Sequence, residues 1–322
     1  MSIHSPVVPA PLVWPVIADQ QPDMWTLNGH SNTVTDIVGR IGAPTGLVIF
    51  TEGNHLMVLL SGDVVGAFPS RAKSQPQYAS LDLTNIVVVT LPQPIVVQMI
   101  RTGGIALGNL ALDVSRASGF YPDIVMGGSE PLRELRKFGV VEPQARVFSK
   151  SRGLALLVRK GNPLGIRILA DVSRTGARLA QPDSVEFGAR ARNRAMIEGL
   201  MGNTEADAFF SNEVQHFPGR LGITHRDVPE MIARGYADVG LSQHHLVSHW
   251  ARTFPDRFEL VPIEGAERFP LTIAFGRVTD PLRPQAQAAF EEFFFGRAQD
   301  IYPKYDFARV DDDKYGTILE LE

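Results

Sequence analysis

Small polar residues and glycines follow four short apolar segments of this chain, at places where a strand would end and a helix would begin. Such residues supply hydroxyl groups, amide groups and backbone N–H groups that a ligand can approach closely. Unpaired N–H groups at a helix start, together with the helix dipole, favour an anion at that position. A small oxyanion can therefore be held there without a formal counter-charge. The candidate ligand-binding residues are Thr51, Gly53, Asn54, Gly128, Ser129, Asp183, Ser184, Ser242 and Gln243.

Each of these residues also has a purely structural interpretation. Ser129 and Ser184 are good N-cap residues, and Asp183 can cap in place of Ser184. Asn54 can cap the helix that follows it, Thr51 can simply end its strand, and glycines are ordinary turn formers. The same chemistry nevertheless recurs at four strand ends, two in each half of the chain, and this recurrence favours a ligand.

Glu52 fits an anion site poorly. It stands between Thr51 and Gly53, in a loop where an oxyanion would need donors, and a carboxylate there would repel the anion. We expect its side chain to turn towards solvent, because a loop side chain reaches water at a lower cost than it is buried unpaired. If the side chain instead points into the site, it favours a cation.

A histidine pair offers an alternative chemistry. His245 and His249 are four residues apart, so on a helix they share a face and could bind one transition metal. Surface or capping histidines are the structural interpretation of the same pair. The zinc-protease pattern needs a glutamate after the first histidine, whereas Leu246 stands there. The sequence also contains no Gly-x-Ser-x-Gly elbow and no P-loop. We therefore expect no enzyme and no cofactor.

Alternating strand and helix patterns are expected to position these residues. Strand, loop and helix recur three times in the first 140 residues, which is typical of βαβ units with a parallel sheet. The sequence predicts strands over residues 46–50, 85–90, 123–126, 152–160, 177–181, 237–241, 258–262 and 271–275. It predicts helices over residues 55–68, 95–101, 106–117, 129–138, 168–173, 185–201, 228–234 and 284–295.

Composition narrows the class of protein further. The 322 residues are 44% hydrophobic and carry a formal net charge of −4, which suggests about two domains and disfavours a nucleic-acid partner. No apolar run reaches the roughly 20 residues that a membrane helix needs. The chain has no cysteine, which excludes disulfides and cysteine-based metal sites.

Residues 1–15 have no Lys or Arg and do not form a secretory signal as written. The location is extracytoplasmic if a signal has been removed, and otherwise cytoplasmic.

Five stretches of sequence carry a family resemblance. They are GNPLGI at 161–166, LADV at 169–172, RLAQPDS at 178–184, YPDIVM at 121–126 and RGYADVGL at 234–241. In this order they resemble the type II periplasmic solute-binding proteins, and among them the molybdate/tungstate-type binding proteins of ABC importers. That family usually places a serine in the loop after its first strand, whereas this chain has Thr51 and Glu52 there.

The resemblance implies an α/β, two-lobed type II periplasmic-binding-protein-like fold, each lobe a mostly parallel sheet flanked by helices. Lobe I would comprise residues 1–150 with 255–322, and lobe II residues 151–254. A small oxyanion similar to molybdate or tungstate would bind in the inter-lobe cleft of a monomer, and the partner would be the membrane subunit of an ABC importer. The alternatives are a binder of a divalent metal ion or another small solute, and a cytoplasmic ligand-sensor domain of the same fold.

Overall fold

The computed structural model describes residues 12, 24–25, 37–59, 63–107, 110–183, 186–215 and 224–322. These residues form two compact units, which we name by their place in the chain. The N/C unit comprises the described residues of Val16–Ser151 and Leu271–Glu322. The middle unit comprises those of Arg152–Pro270, together with Leu12. No helix in the described ranges is long and apolar enough to cross a membrane.

Strands and helices alternate through much of both units. The strands are β1 Met24–Trp25, β2 Ile37–Val38, β3 Leu47–Thr51, β4 Ile86–Val89, β5 Gly104–Leu107, β6 Leu110–Asp113, β7 Ile124–Gly128, β8 Val141–Lys150, β9 Leu154–Arg159, β10 Leu179–Ala180, β11 Val239–Gln243, β12 Phe258–Pro262, β13 Thr272–Val278 and β14 Ile318–Glu320. The α-helices are α1 Leu56–Leu59, α2 Phe68–Lys73, α3 Gln93–Thr102, α4 Ser129–Lys137, α5 Leu169–Arg174, α6 Phe187–Met201, α7 Asn203–Phe210, α8 Val228–Ala233, α9 His244–Thr253, α10 Pro284–Phe295 and α11 Ala298–Ile301.

The N/C unit is built on an eight-stranded sheet in the order β1-β2-β4-β3-β7-β13-β8-β14. Its centre, β4-β3-β7, is parallel, as the repeated strand–helix pattern predicts. The other pairs are antiparallel: β13 returns from the far end of the chain and inserts between β7 and β8, and the edge strands β1, β2 and β14 also pair antiparallel with their neighbours. The α/β class is therefore confirmed, and the sheet is mixed rather than mostly parallel.

The middle unit has a four-stranded sheet in the order β10-β11-β9-β12. Only β10 and β11 are parallel, and β9 pairs antiparallel with both of its neighbours. The sequence-based boundary places residues 255–270 in lobe I. In the structure β12 pairs with β9 along its length, so these residues belong to the middle unit.

The central sheet of the N/C unit is covered on both faces, as the all-apolar runs predict. Successive residues of β3 alternate between two cores: Leu47 and Ile49 face one, and Val48 and Phe50 face the other. Helix α10 contributes three phenylalanines to the first core, among them Phe290, which packs edge-on against Phe68 with ring centroids 5.0 Å apart. The strand ends are therefore held on a sheet that both cores keep in place.

Two predicted helices are wrong. The described residues of 106–117 belong to the paired strands β5 and β6 and to a 3₁₀ turn, because the Gly-Asn pair at 108–109 interrupts the apolar stretch with a sequence typical of hairpin loops. The predicted helix over residues 55–68 is instead a 3₁₀ turn at Gly53–His55 followed by the short α1, and α2 begins only at Phe68. The sequence also gives no prediction of β8 or α7.

A buried ion pair fixes the amino ends of β3 and β7. Asp123 is fully buried, and its carboxylate accepts hydrogen bonds from the Val48 backbone N–H at 2.9 Å and from Arg283 Nη1 at 3.0 Å. The Arg283 guanidinium also donates to the backbone carbonyls of Thr45 and Gly119. Arg283, the N-cap residue of α10, thus connects this helix to the amino ends of the two strands.

Candidate functional site

The carboxyl ends of β3, β4 and β7 lie at one edge of the N/C sheet, because these three strands are parallel. Ligands of open α/β sheets bind outside this edge. Thr51 ends β3 and is only 1% exposed, and its hydroxyl has no hydrogen-bond partner among the described residues. Gly128 ends β7 and Ser129 begins α4. The structure therefore brings Thr51, Gly128 and Ser129 to the same sheet edge.

Helix α4 starts without a capping side chain. Strand β7 extends through Gly128, which pairs with Ile273 of β13, so Gly128 is the N-cap and Ser129 the first helical residue. The predicted N-cap role of Ser129 is thus wrong. Gly128 has no side chain with which to cap this helix start. Because Pro131 has no N–H, we take the backbone N–H of Ser129 as the first-turn donor of interest. Such a helix start favours an anion.

Glu52 does not face solvent as expected. Its side chain is 13% exposed, and its Oε1 lies 3.5 Å from Nε2 of the fully buried His55. The 3₁₀ turn at Gly53–His55 explains this direction, because the His55 backbone N–H donates to the Glu52 carbonyl at 3.2 Å and brings the two residues together. Gly53 and Asn54 lie in the same turn, and the side chain of Asn54 lies outside the described part of the structure.

Aromatic rings enclose His55. Its ring stacks on Phe307 and meets Phe148 edge-on, with both centroid distances 5.7 Å. Tyr302 also packs against His55. Burial raises the pKa of Tyr302 well above its ordinary value, and the negative charge of Glu52 raises it further. The carboxylate of Glu52 is therefore directed into the N/C unit, beneath the end of β3.

The middle unit presents a second set of strand ends. Asp183 follows β10 and is buried, whereas Ser184 lies outside the described residues. Gln243 ends β11 and is the N-cap of α9, yet its side chain makes no capping hydrogen bond to the described residues. Its Oε1 is buried and has no hydrogen-bond partner there. The parallel pairing of β10 and β11 places Asp183 and Gln243 at one edge of this sheet.

Ser242 belongs to a hydrogen-bonded chain that the sequence does not predict. His225 Nδ1 lies 3.3 Å from Ser242 Oγ, and His225 Nε2 lies 3.2 Å from Glu186 Oε2. When Nε2–H donates to the carboxylate, Nδ1 accepts the hydroxyl proton of Ser242. The serine–histidine–acid order is that of a hydrolase. Ser242 is 0% exposed, however, so the chain holds the end of β11 rather than presenting a nucleophile.

The sequence does contain a pattern that predicts the turn in which His225 lies, namely a capping box. The Thr224 backbone N–H donates to Asp227 Oδ2 at 2.9 Å, and this pair brackets the 3₁₀ turn His225–Asp227. The serine or threonine followed three residues later by an acid is visible in the sequence. That His225 meets Ser242 and Glu186 follows only from the fold.

His245 and His249 lie on one helix, α9, as their spacing requires. His245 is buried, and burial together with the charge of Arg252 lowers the pKa of His249 to about 4. Among the described residues, no group of three or more histidine, aspartate or glutamate side chains could hold a metal ion. The pair therefore has no third ligand of these types in that part of the chain.

A family model of bacterial extracellular solute-binding proteins matches residues 73–307. No curated protein matches the sequence. The sulfate-binding protein SubI of Mycobacterium tuberculosis has a similar structure, with a TM-score of 0.56, 16% identity, and coverage of 83% of this chain and 87% of SubI. PEB3 with bound L-phospholactate gives a TM-score of 0.55 at 15% identity, over 82% of this chain and all of PEB3. PEB3 is a Campylobacter jejuni protein.

A substrate-binding domain assigned to a molybdenum ABC transporter of Clostridium difficile gives a TM-score of 0.50. It is 12% identical, and the match covers 82% of this chain and 99% of that domain. At such identities the likeness of all three structures concerns the fold alone.

Proposed function

Because the chain belongs to the family of bacterial extracellular solute-binding proteins, we propose that it is the solute-binding component of an ABC importer and that its solute is a small oxyanion of the molybdate or tungstate kind. The proposed partner is the importer's membrane subunit, and the proposed location is extracytoplasmic. We propose that the protein acts as a monomer and has no catalytic role.

The observation that carries the oxyanion proposal is the start of α4. Buried strand β7 runs directly into this helix through Gly128, which has no side chain to accept from the first-turn N–H groups. The helix dipole, the Ser129 backbone N–H and the Ser129 hydroxyl favour an anion as the acceptor at this helix start. The Thr51 hydroxyl at the neighbouring strand end supports the same chemistry.

The middle unit supports the proposal with a similar arrangement. Helix α9 begins directly after β11, and its N-cap residue Gln243 makes no capping hydrogen bond to a described residue. We retain the sequence-derived residues of both units as proposed solute contacts. Asp183 and Ser242 are the weakest of these, the first because of its charge and the second because its hydroxyl is engaged by His225.

A cation is the second candidate solute, and Glu52 is the observation that favours it. The carboxylate lies beside His55 beneath the end of β3, so an acidic oxygen and an imidazole nitrogen are 3.5 Å apart in the same loop. Oxygen and nitrogen ligands of this kind suit a divalent transition metal.

Calorimetric titration of wild type and Glu52→Gln separates the two candidates. We expect wild type to bind molybdate, tungstate or sulfate and not nickel or zinc. Removing the negative charge beneath the β3 end should tighten oxyanion binding at least tenfold, because two unit charges about 4–8 Å apart repel each other by about 2–4 kcal/mol at an effective dielectric near 20.

Glu264→Gln is the matched control, because Glu264 is an exposed glutamate of the middle unit and its loss should leave the affinity unchanged. Wild-type binding of nickel or zinc alone, weakened by Glu52→Gln, would reverse the proposal in favour of a cation.

A further inference from the structure

Gln93 reaches an unexpected part of the N/C unit. It is the first residue of α3, just after β4, yet its amide lies against the end of β7. A Cβ atom placed on Gly127 would overlap the Gln93 amide, and a Cβ on Gly128 would lie 3.7 Å from Gln93 Oε1. The two glycines therefore leave the space that this amide occupies.

The sheet order determines what the Gln93 side chain crosses. Strand β3 lies between β4 and β7, so a side chain that starts after β4 and touches Gly127 must pass over the carboxyl end of β3. That end is Thr51, whose hydroxyl has no partner among the described residues. The Gln93 amide thus lies at the end of β7, close to Gly128, the residue from which α4 begins.

The chemistry of this amide suits an anion. A glutamine side chain offers two N–H donors and carries no charge. No hydrogen bond joins the Gln93 amide to another side chain or backbone group in the described ranges, and the residue is partly exposed. An amide held between strand ends without a protein partner is available to a solute.

We propose that Gln93 is a solute-binding residue that donates an amide N–H to a bound oxyanion, and that Gly127 is a glycine so that this amide can lie across the end of β7. The proposal rests on the proposed oxyanion function and adds a residue that determines specificity at the same sheet edge.

The first test is calorimetric titration of Gln93→Ala and Gln93→Glu with molybdate and sulfate. Loss of a hydrogen bond to a charged ligand should weaken Gln93→Ala binding about tenfold or more. Gln93→Glu keeps the shape but replaces the donor with a carboxylate, so its loss of affinity should be larger. Gln98→Ala is the matched control, because Gln98 is an exposed residue of the same helix.

The second test uses Gly127. The backbone of Gly127 has a negative φ, which alanine adopts without strain. The three atoms nearest to an added Cβ all belong to the flexible end of the Gln93 side chain. We therefore expect Gly127→Ala to fold and to displace the amide. We expect it to lose as much oxyanion affinity as Gln93→Ala. The double variant should lose no more than either single variant, because both changes remove the same donor.

The outcomes separate the two proposals. Oxyanion binding by wild type with unchanged affinity in Gln93→Ala would overturn the role of Gln93 and leave the proposed function standing. Additive losses in the double variant would likewise overturn the link between Gly127 and Gln93. A wild-type protein that binds neither molybdate nor sulfate would overturn the proposed function and the inference with it.

Discussion

Replacing Arg283 by alanine is expected to lower the free energy of unfolding by about 3–5 kcal/mol, because it leaves the buried carboxylate of Asp123 without its cation. Asp123 is 0% exposed and accepts from Arg283 Nη1 at 3.0 Å. The backbone N–H groups of Val48 and Arg283 remain as donors, at 2.9 Å and 3.1 Å, but they do not neutralise the charge. Urea unfolding at neutral pH measures the difference.

The control and the pH dependence make this prediction specific. Arg309 forms exposed ion pairs with Asp300 and Asp312, so Arg309→Ala should cost about 0–1 kcal/mol. Burial raises the pKa of Asp123, and Arg283 opposes this rise. Without Arg283 the carboxyl of Asp123 binds its proton more tightly in the folded state. The difference in unfolding free energy between wild type and Arg283→Ala should therefore shrink as the pH is lowered. A deficit below 1 kcal/mol at neutral pH would contradict the anchoring role of the pair.

Acidification is expected to destabilise the wild-type protein through His249. Its pKa is lowered from 6.5 to about 4, mainly by burial and secondly by the charge of Arg252. Between these values the unfolded chain binds the proton and the folded chain does not, so stability is full above about pH 6.5 and is lost as the pH falls towards 4. Over this interval the protein should lose roughly 3 kcal/mol of its free energy of unfolding.

The variant His249→Gln tests this assignment. It should flatten the fall in stability between about pH 6.5 and pH 4, whatever its absolute stability, because glutamine does not titrate. Ser248→Ala, the neighbouring residue on α9, should keep the wild-type slope. Unfolding midpoints measured across this pH range give both slopes, and an unchanged slope in His249→Gln would contradict the buried, neutral state of His249.

The parallel centre of the N/C sheet could be predicted because its signals are local. The apolar runs at residues 46–50, 85–90 and 123–126 became β3, β4 and β7, each bounded by turn residues. The insertion of β13 between β7 and β8 could not be predicted, because the direction of a strand from the far end of the chain is decided by tertiary packing.

The missed β5–β6 hairpin had a local signal that competed with a helical one. Leu107 ends β5 and Leu110 begins β6, and the sequence between them is Gly-Asn, a pair typical of two-residue hairpins. The apolar spacing over residues 106–117 also suits a helix. The strands β5 and β6 form instead, because the Gly-Asn pair favours a hairpin turn over a helix.

For the candidate site, the positions of the residues could be predicted from the sequence, whereas their contacts could not. The positions of Thr51, Gly128 and Gln243 at strand ends follow from the strand pattern, and the structure confirms those positions. Their contacts do not follow from it. The inward turn of Glu52 depends on His55 and the aromatic rings around it, and the Ser242 hydroxyl is engaged by a histidine on another element. Such contacts depend on tertiary packing, which sequence spacing does not reveal.

Native mass spectrometry of the full chain reveals the bound solute and the oligomeric state in one measurement. The protein would be exchanged into a volatile buffer, and molybdate, sulfate, nickel or zinc would be added in turn. We predict a monomer that gains the mass of one molybdate or sulfate ion at micromolar concentrations and gains neither metal. A protein that gains only nickel or zinc, or that stays unliganded with both oxyanions, would rule out the proposed oxyanion-binding function.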